Sequence, residues 1–350
     1  MNIEIRKYDS PKGIITIYEL TNNKGASVEL SSLGAGINSI IVPDRNGNLN
    51  DIVLGYKNPV DYIYDGPCAG KTAGRYANRI ANGHLDIEGI TYQLNINCGP
   101  NSLHGGPEGF QNQNWQSRVD NNNVIFTYMS ADGEEFFPGN ILTTVTYRWN
   151  EDNELLIEYH ARTDRDTVIN LTNHTYFNLK GDGNGNIFDH ILKLNCSYYL
   201  PTDTSLVPTG EYMPVAGTPM DFIEEKYIGK DIENDFLPLR IAKGYDHCWL
   251  VDGYDDKKLK KVAILKEETT GREVHISSTQ AGVQVYTGNW LADSPEGKSG
   301  NKYFDYCAVA IECQGLPDAP NKPQFPSQAL RAGETYSQTI LYSFKSQRNK

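Results

Sequence analysis

Short runs of β-branched and aromatic residues recur so densely along this chain that they leave no stretch with sustained helical periodicity. They span Ile14–Leu20, Ser39–Val42, Val124–Met129, Ile141–Trp149, Leu155–His160, Lys261–Leu265, Val283–Tyr286, Cys307–Cys313 and Tyr336–Phe344. Turn signals punctuate them: Arg45-Asn46-Gly47-Asn48, Glu88-Gly89, Asp132-Gly133 and Asp252-Gly253. The two runs on either side of Asn150–Asn153 form a hairpin pattern. Asn58–Tyr64 and Phe222–Tyr227 are long enough for single helical turns. The pattern predicts an all-β chain, built as two packed antiparallel sheets.

At 350 residues the chain exceeds common domain sizes, but large all-β architectures reach this length undivided. No composition shift or low-complexity linker marks a boundary, and the three glycines in Lys180–Asn186 fit a loop. The formal net charge is −12, and the basic residues gather no further than Lys257-Lys258 and Lys260-Lys261. A nucleic-acid backbone or an anionic membrane would be repelled, so neither is an expected partner; neutral ligands fit better. The amino terminus lacks an apolar signal core, and no run approaches the roughly 18 apolar residues of a membrane span, which predicts a cytoplasmic protein. Cys68, Cys98, Cys196, Cys248, Cys307 and Cys313 are scattered without a CxxC, as expected of free thiols.

Within the strand-like runs, ionisable groups stand where they are expensive. In the segment Asn170–Leu179, alternation puts Leu171, Asn173, Thr175 and Phe177 on one face and Thr172, His174 and Tyr176 on the other. The second face could line a polar pocket, or His174 could be a hydrogen-bonded core histidine. Glu312 ends the apolar run Ala308–Glu312, as a cleft carboxylate or as a charge at a strand end on the surface. Arg75, Asn78 and Arg79 lie within GRYANRI, and His104 within NSLHGG beside a glycine pair that suits either close ligand approach or a tight turn. Asp246 and His247, in GYDHCW, are open to the same two readings.

His104, His174 and Glu312 have the composition of a two-histidine, one-carboxylate metal site, but none of their spacings is that of HxH or HxxxH. No metal is expected. A GxSxG elbow and a phosphate-cradling lysine are also missing, so covalent catalysis and nucleotide binding lack support.

Taken in order, GRYANRI (74–80), NSLHGG (101–106), TNHTYFNL (172–179), PTGEYMPVAGTPMDF (208–222), GYDHCW (244–249), QVYTGNWL (284–291) and ECQGLPDAPNKPQFPSQALRAGETY (312–336) resemble the aldose 1-epimerases, the galactose mutarotase family. VPDRNGNLNDIVLGY (42–56) extends the resemblance over nearly the whole chain. It implies one domain over residues 1–350, a large β-sandwich termed a supersandwich, and interconversion of the anomers of free aldoses without metal or organic cofactor. His174 matches the family's general acid and Glu312 its base. Asn78, Arg79, His104, Asp246 and Gln284 match sugar ligands, Tyr176 lines the same pocket, and Arg75 is expected to be structural. Met220 and Cys313 depart from the family pattern at positions bearing on substrate preference. A monosaccharide is the implied ligand, and the chain could act as a monomer or a homodimer. Two rivals on the same fold are a noncatalytic sugar-binding protein and an enzyme acting on phosphorylated hexoses or on polysaccharide.

Overall fold

The computed structural model describes residues 1–256, 258–292 and 294–347; Lys257, in the first basic pair, falls outside them. The described residues are dominated by antiparallel strands in sheets of five, nine and six, with smaller two-stranded pairs around them. The expected runs all become strands with ends displaced by a few residues: Ile14–Leu20 forms Ile15–Thr21, Lys261–Leu265 forms Lys260–Lys266, and Ile141–Trp149 keeps its bounds. The hairpin across residues 150–153 joins Ile141–Trp149 to Glu154–Thr163, with Trp149 opposite Leu155. Asn150 explains the tight closure, because its side-chain oxygen accepts the amide hydrogens of Asp152 and Glu154.

Two helical expectations divide. Pro59–Tyr64 is a 3₁₀ turn capped by the Asn58 side chain. The Phe222–Tyr227 turn is not formed: Phe222 is buried in the core, Lys226–Tyr227 pairs with Ile191–Leu192, and the helical turn begins at Ile228. A short α-helix, Leu237–Ala242, escaped the sequence reading because six residues are too few to display a period.

One apolar cluster joins the sheets. It takes Leu20, Val28 and Ile37 from the five-stranded sheet, Val145, Ile157 and Ile340 from the nine-stranded sheet, and Trp249, Val283 and Ile311 from the six-stranded sheet. Alternation explains the sorting, since Ile141–Trp149 shows buried and less buried residues in strict turn. Met220 and Cys313 are both members of this cluster. All six cysteines are free thiols.

The six-stranded sheet runs Tyr176–Phe177, Val309–Gln314, Gly282–Tyr286, Asp246–Leu250, Tyr198–Tyr199 and Met213–Pro214. One face packs into the core, leaving the other to carry polar side chains. The segment before Tyr176 is held differently. The amide of His174 donates to Lys71 O at 2.9 Å, and its carbonyl accepts from Gly70 N, also at 2.9 Å. Gly70 has φ +72°, and a Cβ there would lie 1.8 Å from the Ile37 carbonyl oxygen. Gly70→Ala is therefore expected to cost about 3 kcal/mol or more in urea unfolding, because strain and a backbone clash add. An unchanged midpoint would contradict this tight packing behind His174.

Candidate functional site

Strand register builds the site. Cys248, Gln284 and Glu312 stand directly opposite one another on adjacent strands, and so share a face. The next rung on that face carries Asp246, Tyr286, Ala310 and Tyr176. Two rungs thus gather residues separated by up to 136 positions in sequence without any one segment containing the site. Tyr286 was not singled out from the sequence. Its signal was available, two residues beyond Gln284 on an alternating strand.

Loops complete the wall of a cavity of about 470 Å³. Asn78 and His104 both adopt left-handed backbone conformations, with φ +65° and +52°. They lock together: Asn78 N donates to His104 Nδ1 at 3.1 Å, and His104 N donates to Asn78 O at 3.1 Å. With Nδ1 accepting, the neutral ring carries its hydrogen on Nε2. Arg79 reaches Asp246 at 3.4 Å, and Gln284 donates to the other Asp246 oxygen at 2.6 Å. Asp246 is thereby oriented from both sides.

At the buried end, His174 Nε2 lies 3.3 Å from Glu312 Oε1, with residue exposures of 5% and 2%. The His174 ring stands edge-on to His104 with centroids 5.3 Å apart, and it lies 4.9 Å from Tyr176. The other atoms of the pair, His174 Nδ1 and Glu312 Oε2, have no hydrogen-bond partner within the protein. Such buried polar atoms call for a ligand or water.

The structure thus brings Asn78, Arg79, His104, His174, Tyr176, Asp246, Gln284 and Glu312 into one cavity. Glu312 is within the strand Val309–Gln314 and buried, so the surface strand-end alternative fails. Three other polar residues take places away from the cavity. Arg75 is buried and donates to the carbonyls of Pro138 and Gly139 at 2.8 and 3.0 Å, a structural placement. His247 is buried, with Nδ1 accepting from Asp246 N. Of the face expected to carry Thr172, His174 and Tyr176, the last two line the cavity, while Thr172 is buried outside its lining. At the rim, Trp290 is 63% exposed, a feature that sequence cannot reveal.

Burial dominates the electrostatics. Loss of water pushes the His174 imidazole down to about 4 and drives His104 well below the ordinary imidazole value, with His174 and Arg79 adding to the latter. Glu312 is raised well above the usual carboxylate range, by burial first and then by the charge of Asp246, while Arg79 opposes. A close ion pair would pull the two partners the other way. Both groups are enclosed and burial dominates, which favours neutral imidazole and neutral carboxyl. One proton is then held by the pair as a whole. His104, His174 and Glu312 also present potential ligand atoms within 4.8 Å of one another, so the fold assembles a set that the sequence spacing did not suggest.

A titration follows. The folded Glu312 carboxyl holds a proton that the unfolded chain releases near pH 4 to 5, so between that pH and its raised value Glu312 lowers stability as pH rises. Glu312→Gln cannot titrate. Its stability relative to wild type should grow as pH rises above the ordinary carboxylate range, by up to about 1.4 kcal/mol per pH unit until the folded carboxyl ionises, measured by urea unfolding. A difference that stays constant as pH rises above the ordinary carboxylate range would contradict a raised Glu312.

A family model described as aldose 1-epimerase matches residues 16–343. A galactose mutarotase from Homo sapiens is 40% identical over 317 residues, which cover 91% of this chain and 90% of that protein. An aldose 1-epimerase from Escherichia coli K12 is 37% identical over 328 residues, with 93% and 94% covered. The crystal structure of galactose 1-epimerase from Lactobacillus acidophilus superposes with a TM-score of 0.86 at 26% identity, covering 99% of each chain.

Proposed function

The chain belongs to the aldose 1-epimerase family, and from that premise we propose how it works as a mutarotase: it interconverts the α and β anomers of free aldohexoses such as galactose and glucose, and Glu312 and His174 carry the proton transfers. The observation that carries this reading is the 3.3 Å approach of His174 Nε2 to Glu312 Oε1 at the enclosed end of the cavity. The shared core of the sheets supports reading residues 1–350 as one domain.

Ring opening needs one proton removed from the C1 hydroxyl and one delivered to the ring oxygen. In the reactive arrangement Glu312 is a carboxylate and His174 an imidazolium. That state has the same number of protons as the neutral pair, so it is reached by moving one proton from carboxyl to imidazole. Burial makes the carboxylate a stronger base than a free one and the imidazolium a stronger acid than a free one. Glu312 takes the O1 proton as the C1–O1 bond gains double-bond character, the C1–O5 bond breaks, and His174 protonates O5. Rotation about C1–C2 presents the other face of the aldehyde, and the steps reverse with both protons returned. Each group typically contributes about 10² to 10⁴ in rate.

Arg79, His104, Asp246 and Gln284 are assigned to the sugar hydroxyls; Arg79 and Gln284 hold Asp246, and Asn78 holds His104, before a sugar arrives. Tyr176 and Tyr286 offer ring surface to the sugar's C–H groups. A phosphorylated hexose is poorly served. Arg79 is the arginine in the lining, it is engaged with Asp246, and Arg75 points away.

Kinetics separate the two kinds of residue. Polarimetry on freshly dissolved α-galactose and α-glucose should show Glu312→Gln and His174→Asn lowering kcat by about 10² or more with little change in KM. Asp246→Asn and His104→Gln should raise KM by about 10-fold, with a smaller effect on kcat. Equal kcat losses across the four would undo the division. Sugar binding without catalysis by the wild type would instead favour a binding protein.

Only protons move in these steps, so dialysis against a chelator should leave the rate unchanged even though His104, His174 and Glu312 could together approach a cation. A loss restored by one divalent ion would replace this mechanism with a metal-assisted one.

A further inference from the structure

Behind the cavity wall lies a buried ion pair that the proposed chemistry does not use. Asp65 and Lys71 approach to 3.4 Å, with side chains 0% and 1% exposed. Both have further partners. Asp65 Oδ1 accepts from the Tyr56 hydroxyl at 2.6 Å, and Oδ2 accepts from Ala69 N at 2.6 Å. Lys71 Nζ donates to Tyr62 O at 2.5 Å. The two residues close the segment 65–71, whose Gly66, Pro67 and Cys68 form part of the cavity lining.

This closed segment grips the proposed proton donor at two points and its neighbour Tyr176 at a third. Lys71 O accepts from His174 N and Gly70 N donates to His174 O, so the backbone of His174 is held in both directions. Pro67 O accepts from the Tyr176 hydroxyl at 2.9 Å, and Tyr176 lies against the imidazole. Any shift of the segment would therefore move His174 and Tyr176 together. Stability alone gives no reason for the charges, because replacing a buried pair with apolar groups of similar volume is often neutral or favourable. The pair also sits where geometry matters most, since a displacement of about 1 Å can cost about 10² in rate.

Resting on the catalytic reading above, we propose that Asp65 and Lys71 are positioning residues: their buried pair braces the segment 65–71 and thereby holds His174 and Tyr176 in register with Glu312 and the sugar. Asp65 has a second consequence. Burial lowers the proton affinity of His174, and Asp65 is first among the charges that counter it.

The test is the double variant Asp65→Asn/Lys71→Met, which removes both charges at nearly constant volume, assayed beside Tyr56→Phe, which removes one hydrogen bond to Asp65 and no charge. Mutarotation by the wild type is measured first; its absence sinks the catalytic reading and not the brace alone. With an active wild type, the double variant should keep a cooperative melt and a KM within about twofold while kcat falls about 10-fold to 10², and Tyr56→Phe should lose kcat by a few-fold. Wild-type kcat in the folded double variant, or a rise in KM as large as the fall in kcat, overturns the proposal. If the double variant does not fold, Tyr56→Phe decides by the same criterion, and an unchanged kcat there overturns it.

Discussion

Placing a carboxyl and an imidazole 3.3 Å apart, both out of water, is the constraint around which this protein is organised. Water would stabilise the charged form of each group separately, and its exclusion makes the proton exchangeable between them. The sheets serve that arrangement. Glu312 rides on Val309–Gln314, which pairs with Gly282–Tyr286 on one side and with Tyr176–Phe177 on the other. His174 is fixed from the opposite direction by backbone contacts with residues 70 and 71.

Such a site works against the stability of its own fold. A buried carboxyl with raised proton affinity, the His174 and His104 rings beside it and an Asp65–Lys71 pair all carry desolvation costs that an apolar wall would avoid. The continuous core shared by the five-, nine- and six-stranded sheets offsets them. Polar crosslinks limit the freedom that remains. Asp246 is held by Arg79 and Gln284, and His104 by Asn78, so the groups assigned to the sugar do not have to be ordered when it binds.

Much of this was legible in the sequence, for identifiable reasons. Long strands such as Ile141–Trp149 bury one face only, so alternation writes them into the sequence directly. Tyr176, Asp246, Gln284 and Glu312 gather because they sit on strand rungs, and Asn78 and His104 because their loops take left-handed backbone conformations. Other features were hidden. Alternation placed His174 and Tyr176 at the cavity but could not say that Thr172 would be buried outside its lining. The Leu237–Ala242 helix was too short to announce itself, and Phe222 belonged to the core instead of to a turn. Asp65 and Lys71 look like ordinary surface charges in sequence; only the fold reveals that they face each other without water.

The pH dependence of kcat/KM for the wild type bears most directly on the shared-proton account, since it reports ionisations of the free enzyme. Activity requires the pair to hold one proton, so the profile should be bell-shaped. Its acid limb, where a second proton enters, should lie below the free imidazole value of about 6.5, in line with the lowered His174. Its alkaline limb should mark loss of the last proton. A profile governed by one ionisation, or an acid limb above pH 6.5, would contradict a buried pair that works by sharing a proton.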